Sequence, residues 1–299
     1  MITLQAKQNS LLYSDDSILA EIWKAVHRYK VIRALEMGSF SISVQEGRVL
    51  LTGHVSKKYH HDLVEEIACS IPGVSSVDNK LVVDTDLIIK VSQALSKDER
   101  TRHFILPVGC AHGWVRLGGE VPRRELQIAA EERAAQVPFV RGVLSRPDVV
   151  GEDREIERQP IQPQIQAKVF DYNRQEGMVT QVVIQPRNRL VTHVVVSAND
   201  FNEGKFVLHE YLVSVEAMDV VDQDSVLLKR NGPPLNAFPT FEQSDYPSAP
   251  LDWQPPYPYA AEEVRWPCEE SEKAENKSNS SRLFPGQGSA VIYSEEKKA

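Results

Sequence analysis

GRVLLTGHV at residues 47–55 returns 66 residues later as GWVRLGGEV at residues 113–121. Both stretches have glycine at the first and seventh positions, and an apolar residue at the third, fifth and ninth positions. Such alternation is typical of a β-strand with one buried face. Because a pattern that recurs at a fixed spacing marks a structural repeat, the sequence predicts two copies of one module in the N-terminal half.

Each copy is predicted to fold as helix, strand, strand, helix and strand. In the first copy Asp15 and Asp16 favour a helix start, residues 40–55 form a hairpin around Glu46-Gly47, and Ser56 is placed to cap the next helix. The last strand is expected to join the same sheet. Two helices then pack on one face of the sheet in each module.

The repeated strand, the apolar helix after it and the Pro72-Gly73-Val74 start of the last strand resemble the BON domain. The resemblance covers residues 15–150, although the second copy has Phe139 in place of Gly73. It implies tandem domains that attach to phospholipid surfaces or to other envelope proteins. Many members are exported, whereas the N-terminal residues here show no export signal.

Several short strand-like segments separated by turns occur in residues 164–241, which predicts a small β-barrel. Their order resembles the PRC-barrel domain, which is found in the cytoplasmic part of the photosynthetic reaction-centre H subunit and in a ribosome-maturation factor. The resemblance is carried by residues 177–179, 182–186, 190–195, 213–215 and 224–228. It implies a docking module and supplies no catalytic residues.

The predicted fold class is therefore α+β: two αββαβ BON-like modules, a small all-β PRC-like barrel and a disordered C-terminal tail. The predicted parts are an N-terminal extension (1–14), the two repeats (15–83 and 84–150), a linker (151–163), the barrel (164–241) and a proline-rich, acidic tail (242–299). The tail has too little apolar sequence to offset the cost of ordering it. Four of its aromatic residues are expected either to dock in a groove as an extended motif or to stay solvated: Trp253, Tyr257, Tyr259 and Trp266.

Histidine and cysteine residues are the candidate sites of chemistry in this sequence. His60 and His61 lie about 100° apart on a helix, so with His54 nearby they are interpreted as a solvated polar face rather than as zinc ligands. Cys110 and His112 lie in a hairpin turn, which disfavours a thiol nucleophile. The sequence predicts no catalytic, metal or cofactor site, and hence a protein that is not an enzyme.

Glycine pairs in the repeat have a structural interpretation. Gly118-Gly119 is not a phosphate-binding loop, because no Gly-Lys-Ser/Thr follows it. Gly53 and Gly119 are instead predicted to allow a close approach of two backbone segments or a bulge.

Basic residues near the strand–helix junctions form the candidate binding surface. Helix N-terminal amides and basic side chains together favour phosphate groups. Six residues are predicted to contact an anionic surface: Arg48, Lys57, Lys58, Arg116, Arg123 and Arg124. The alternative is ordinary solvated charge, because acidic residues such as Asp62 and Glu125 lie beside them.

Charge and hydropathy limit the classes of function. The formal net charge is −8, and residues 164–241 are net acidic, which disfavours nucleic-acid binding. No segment reaches the roughly 18 apolar residues that a membrane-spanning helix needs.

The sequence predicts a cytoplasmic adaptor, peripheral at the inner face of the membrane where it meets lipid. Its repeats bind a phospholipid surface or a protein, and its barrel docks a second protein. An RNA- or ribosome-associated assembly factor is the first alternative, and an unrecognised enzyme is the second.

Overall fold

The computed structural model describes residues 13–154, 156–173, 175–202, 205–222 and 224–267. Helices and small sheets alternate as far as residue 149, and a larger sheet follows. The predicted α+β class is therefore confirmed. Within these ranges, no helix combines the length and the apolarity needed to cross a membrane.

The first module has three strands and three helices. Its elements are α1 (Asp15–Arg28), α2 (Lys30–Leu35), β1 (Phe40–Gln45), β2 (Arg48–Val55), α3 (Lys58–Cys69) and β3 (Ser76–Val83). β1 pairs antiparallel with β2, and β2 pairs parallel with β3. Apolar residues at helical spacing on α1 and α3 pack on alternate strand residues, and Ile22, Leu51 and Val64 are fully buried. The short helix α2 is an addition to the predicted order.

The second module has the same connectivity. Its elements are α4 (Asp84–Lys97), β4 (Val108–Ala111), β5 (Trp114–Leu117), β6 (Glu120–Val121), α5 (Arg124–Ala135), β7 (Gly142–Ser145) and β8 (Asp148–Val149). The sheet order is β4-β5-β7, and β6 pairs with β8 as a separate short ladder. β5 pairs parallel with β7, as β2 does with β3, so the two copies share one strand order.

Each hairpin turn is held by an aspartate from the first helix of its own module. The Asp15 carboxylate accepts hydrogen bonds from the backbone N–H groups of Glu46-Gly47 at 2.8 and 2.9 Å. Asp84 accepts the equivalent bonds from His112-Gly113 at 2.5 and 2.8 Å. Both residues of each turn have positive φ, as a two-residue type I′ turn requires.

Gly53 and Gly119 hold the same place in the two modules. Their φ angles are 110° and 92°. A Cβ atom would lie 2.5 Å from the carbonyl oxygen of Ser39 at Gly53, and 2.4 Å from that of Ile105 at Gly119. The predicted close backbone approach is confirmed at both positions, since only glycine fits there.

The third domain, which we call the barrel, is a seven-stranded, barrel-like sheet with one large apolar core and a second, smaller apolar cluster. Its strands are β9 (Lys168–Phe170), β10 (Glu176–Gln185), β11 (Leu190–Asn202), β12 (Lys205–Ser214), β13 (Met218–Val221), β14 (Ser225–Leu228) and β15 (Val264–Arg265). The order is β12-β11-β10-β9-β14-β13, and β15 pairs parallel with β10. Val182, Val194 and Val226 from three strands are fully buried in one cluster. The end strands β12 and β13 share no ladder among the described residues.

Residues 235–267, which we call the strap, run back across the barrel. The Phe241 N–H donates to the Glu210 carbonyl, and the Leu212 N–H donates to the Pro239 carbonyl, both at 2.8 Å. Tyr259 is only 5% exposed. The strap therefore extends the barrel both by backbone hydrogen bonds and by buried aromatic surface.

The prediction of disorder from residue 242 onward is wrong for residues 242–267. This segment has few aliphatic residues, but its aromatic side chains bury against a barrel that already has a core. The cost of ordering it is offset by burial on an existing surface, so the segment needs no core of its own. Residues 268–299, with Cys268, lie outside the described residues.

Candidate functional site

Lys57 and Arg123 occupy equivalent positions in the two modules. Each is the residue just before its helix, Lys57 before α3 and Arg123 before α5, and neither helix start has a side-chain cap. Both residues are exposed, and neither forms an ion pair among the described residues. Because the first N–H groups of a helix lack intrahelical acceptors, each site combines a free cation with a helix end that favours anions.

The other four basic residues of the predicted surface are paired with carboxylates of the same chain. The nitrogen–oxygen distances are 3.7 Å for Arg48–Glu46, 2.6 Å for Lys58–Asp62, 2.7 Å for Arg116–Glu157 and 2.9 Å for Arg124–Glu152. These pairs are solvent-exposed, so each contributes little to the stability of the fold.

Arg48 and Arg116 do not lie with the other basic residues, contrary to the sequence prediction. Arg48 begins β2, whereas Lys57 follows the end of this eight-residue strand. At about 3.3 Å per residue the two are separated by roughly 25 Å. Arg116 lies within β5, ahead of the strand β6 that leads to Arg123. The structure thus gives two small basic sites, at residues 57–58 and 123–124.

Glu36 is the centre of the contact between the modules. It is fully buried and accepts hydrogen bonds from the Ser56 hydroxyl at 2.5 Å, from the Ser56 N–H at 3.1 Å and from His60 Nδ1. From the second module, His112 Nε2 lies 3.2 Å from the carboxylate. The predictions of a Ser56 cap and of a solvated His60 are both wrong, because their partner lies 20 and 24 residues away in the chain.

Hydrogen bonding keeps the Glu36 carboxylate charged. Burial raises its pKa, but the donors His112, Ser56 and His60 outweigh burial and lower the pKa to about 2. The pKa of His112 is raised, first by its hydrogen bond to Glu36 and against the effect of burial. An ionised carboxylate and a more basic imidazole therefore join the modules.

His54 makes a second contact between the modules. Its Nε2 donates to the Phe139 carbonyl at 2.8 Å, and its Nδ1 has no partner among the described residues. Burial lowers the pKa of His54 to about 4, so the ring is neutral near pH 7. His54, like His60, is thus a buried junction residue and not part of a solvated face.

Cys110 is engaged by its own module. Its thiol donates to Asp84 Oδ1 at 3.3 Å, and burial raises the pKa of the thiol. A thiol that stays protonated is a poor nucleophile. The neighbouring His112 is bound to Glu36 and to the Leu35 carbonyl at 2.8 Å. Cys110 therefore contacts the aspartate that holds the hairpin turn, and His112 contacts the first module.

A second buried carboxylate joins the second module to the barrel. Glu131 on α5 is fully buried, and three arginines converge on it: Arg146, Arg158 and Arg187. Arg146 and Arg158 come from the segment after β7, whereas Arg187 comes from the turn between β10 and β11. Beside it, the Val143 N–H donates to the Asn188 carbonyl at 2.9 Å. The barrel hairpin is therefore bonded to the edge of the second module.

One group of side chains has ligand-like spacing. His61, Asp62 and Glu65 offer atoms within 4.8 Å of one another. The Lys58 ammonium lies 2.6 Å from Asp62 and 3.1 Å from His61 Nδ1, and the Asn79 amide donates to Glu65 at 2.9 Å. Lys58 thus contacts two of the three potential ligands, and a neutral amide is bonded to the third.

The strap aromatics lie against their own chain. The Tyr257 hydroxyl is 2.5 Å from Ser41 Oγ of β1, and the Tyr259 hydroxyl donates to the Pro163 carbonyl at 2.7 Å. Trp253 lies under the Arg189 guanidinium at 4.8 Å and packs edge-on against Trp266 at 5.5 Å. The strap thus contacts the first module, the linker and the barrel.

The sequence-family model of the BON domain matches this chain twice, at residues 14–85 and 83–149. These two matches correspond to the two structural modules. No PRC-barrel model matches the chain, and no curated protein matches it.

Two solved structures of CdsD, a structural protein of the Type III secretion system of Chlamydia trachomatis, are similar to part of the chain. Both are 13% identical to it, with TM-scores of 0.37. The first alignment covers 44% of this chain and 60% of that one; the second, with the CdsD C-terminal domain, covers 46% and 66%. The chain thus spans less than two thirds of either structure.

Proposed function

We propose, from the premise that two BON domains form residues 14–149, that this protein is a non-enzymatic adaptor. The BON domains attach to an anionic phospholipid surface, and the barrel-like domain docks a protein. The attachment lies at the inner face of a membrane, where anionic lipids give the surface a negative potential.

The observation that carries this proposal is the pair Lys57 and Arg123. The same position of each repeat holds an exposed cation, without a carboxylate partner among the described residues, at an uncapped helix start. A lipid phosphate is matched by the backbone N–H groups and by the side chain together. Each Lys or Arg near an anionic membrane contributes about 1 kcal/mol. Two such sites on one chain reinforce each other, because the second contact is intramolecular.

The end strands of the barrel-like sheet support a protein-docking role for that domain, as its resemblance to the PRC barrel implies. The strap pairs with β12 near Tyr211. Val207 and Leu208, earlier on the same strand, are 41% and 64% exposed. Val220 on the other end strand, β13, is 46% exposed. Edge strands that carry exposed apolar residues are suited to pairing with an added strand from a partner protein.

Co-sedimentation with vesicles tests the lipid part of the proposal. The full chain is mixed with phosphatidylcholine vesicles, with and without phosphatidylserine, at low and at high salt. We expect salt-sensitive binding only to the anionic vesicles. Lys57→Glu/Arg123→Glu is expected to abolish it, because both unpaired cations are reversed.

Arg48→Glu/Arg116→Glu is the matched control, since it changes the charge equally but lies away from the helix starts. We expect this control to bind as the wild type does. If the wild type fails to bind anionic vesicles at low salt, or if the two double variants behave alike, lipid attachment through the helix starts is refuted. Attachment of the BON domains to a protein would then be the remaining function.

A further inference from the structure

A cavity of about 620 Å³ lies where the first module, the second module, the linker and the strap meet the barrel. Its wall includes Ser41, Trp114, Gln162, Asp222 and Tyr257 from these five parts. Sites for small molecules usually have volumes of roughly 300–1,000 Å³ and often lie between domains. The size and the position of the cavity are therefore those of a ligand site, and none of the contacts described above occupies it.

Arg141 lies in the wall of this cavity and is only 8% exposed. Its guanidinium carbon is 4.9 Å from the Trp114 ring centre and 5.2 Å from the Tyr257 ring centre. Aromatic rings thus contact the guanidinium group, and its hydrogen-bonding edges remain for polar partners.

Within the described ranges, the side-chain hydrogen bonds of Arg141 go to neutral oxygens. Nη1 donates to the His112 carbonyl at 3.2 Å, Nη2 donates to Gln162 Oε1, and Nε is buried without a partner among the described residues. The Asp84 carboxylate is bonded to the turn His112-Gly113 and to Cys110. A buried guanidinium without a bonded carboxylate is unfavourable, and burial accordingly lowers its pKa.

Nε and Nη2 form the edge of arginine that binds a carboxylate through two parallel hydrogen bonds. In Arg141 a neutral amide oxygen accepts a hydrogen bond from Nη2, whereas Nε has no acceptor in the part of the chain that the structure describes. A carboxylate that replaces the Gln162 oxygen would satisfy both nitrogens and neutralise the buried charge. The lining of the cavity also includes three carboxylates, those of Asp219 and Asp222, both exposed, and of Glu263.

We propose that this cavity binds a small zwitterion, such as an α-amino acid or a betaine. Its carboxylate bonds to Nε and Nη2 of Arg141, and its cationic group faces Asp219 and Asp222. The acidic wall disfavours a ligand that carries negative charge alone, and Arg141 disfavours a simple amine. This site is independent of the helix starts that we propose for lipid attachment.

Thermal denaturation of the full chain with four classes of probe tests the proposal. The probes are the common amino acids together with glycine betaine, then acetate, inorganic phosphate and ethylamine, each at the same concentration and ionic strength. We expect at least one zwitterion to raise the Tm in a concentration-dependent manner and the other three classes to raise it less. The dissociation constant of the best zwitterion is then measured by calorimetry.

Arg141→Gln is expected to weaken the best zwitterion roughly tenfold to a hundredfold, as for a lost charge-assisted hydrogen bond. Because Arg141 also packs between rings, a second variant, Asp219→Asn/Asp222→Asn, changes only exposed groups. It is expected to weaken binding roughly threefold to tenfold. Asp224→Asn, an exposed control outside the cavity, should leave affinity unchanged.

Three results would overturn the proposal. The first is that no zwitterion raises the Tm. The second is that acetate or phosphate raises it as much as the best zwitterion. The third is that the Asp219→Asn/Asp222→Asn variant binds that zwitterion as tightly as the control does.

Discussion

At the scale of single residues, the joints of this molecule depend on polar side chains that are buried with their partners. Glu36 and Glu131 are both fully buried, and each is surrounded by donors from more than one part of the chain. Buried charge is tolerated only when it is paired and hydrogen-bonded. Because the partners come from different modules, these residues couple the positions of the modules to one another.

His54 is expected to make the fold sensitive to acid between pH 6.5 and pH 4. Its pKa is about 4 in the folded protein against an ordinary value of 6.5, so in this range the unfolded chain binds more protons. Stability is therefore full above pH 6.5 and falls as the pH falls, by on the order of 3 kcal/mol at pH 4. Urea denaturation across this range measures the slope.

His54→Gln should flatten that slope, since glutamine keeps an N–H donor for the Phe139 carbonyl but does not titrate. His112 acts above this window, and Glu36 overlaps only its acid end. The lowered pKa of Glu36 removes stability only below about pH 4.5, and the raised pKa of His112 removes it as the pH rises above 6.5. An unchanged slope in the glutamine variant would show that another group controls the acid response.

At the scale of secondary-structure elements, the sequence predicted the features that depend on neighbouring residues, namely the strands and the turns between them. The strands around residues 49–55 and 115–121 alternate with period two, and the turns between paired strands carry glycine, so the order of elements in both modules followed from the sequence. The repeat also located Lys57 and Arg123 at equivalent helix starts.

Long-range partners explain what the sequence did not reveal. Composition predicted disorder for residues 242–267, because the surfaces that bury their aromatic side chains are formed by distant parts of the sequence. Tyr257, for example, bonds to Ser41, which is 216 residues away. His60 was interpreted as solvated, since the bend that brings Glu36 beneath it follows the short helix α2, which no pattern marked. Arg141, the central residue of the proposed ligand site, carried no motif at all. Its signal is its burial without a bonded carboxylate, which is visible only in three dimensions.

Helix α5 provides a test of how the second module holds the barrel. Glu131→Gln removes the charge on which Arg146, Arg158 and Arg187 converge, and leaves three cations close together. We expect the free energy of unfolding to fall by about 2–4 kcal/mol, near the range for breaking a buried ion pair but reduced by the partial exposure of two arginines. Glu132→Gln, the adjacent and partly exposed residue, pairs with Arg100 at 3.6 Å and should cost less than about 1 kcal/mol. Equal losses in the two variants would show that the arginines are held by solvent and not by Glu131.

At the scale of the whole molecule, the second module is central. Its hairpin turn contacts the first module through His112, and its edge strand and α5 contact the barrel through Asn188 and Arg187. The strap is the third connection, because it leaves the barrel and reaches Ser41 of the first module directly. The surfaces that we propose for lipid attachment and for protein docking are therefore held at a separation that depends on the strap.

The strap is therefore expected to stabilise the assembly as a whole. A chain ending at residue 267 and a chain ending at residue 241 differ by residues 242–267, the larger part of the strap, which includes Tyr259, Val264 and Trp253. Burying a large apolar side chain contributes about 1.5–3 kcal/mol, so loss of this segment should lower the Tm by roughly 10 °C or more.

Tyr257→Phe in the longer chain removes only the hydroxyl bonded to Ser41 and should cost about 1 kcal/mol. Calorimetry measures both effects, and the shorter chain should also unfold over a broader range, because the first module has lost its direct tie to the barrel. A single sharp transition at the same Tm in both chains would show that the strap merely lies on the barrel and that the two junctions of the second module suffice.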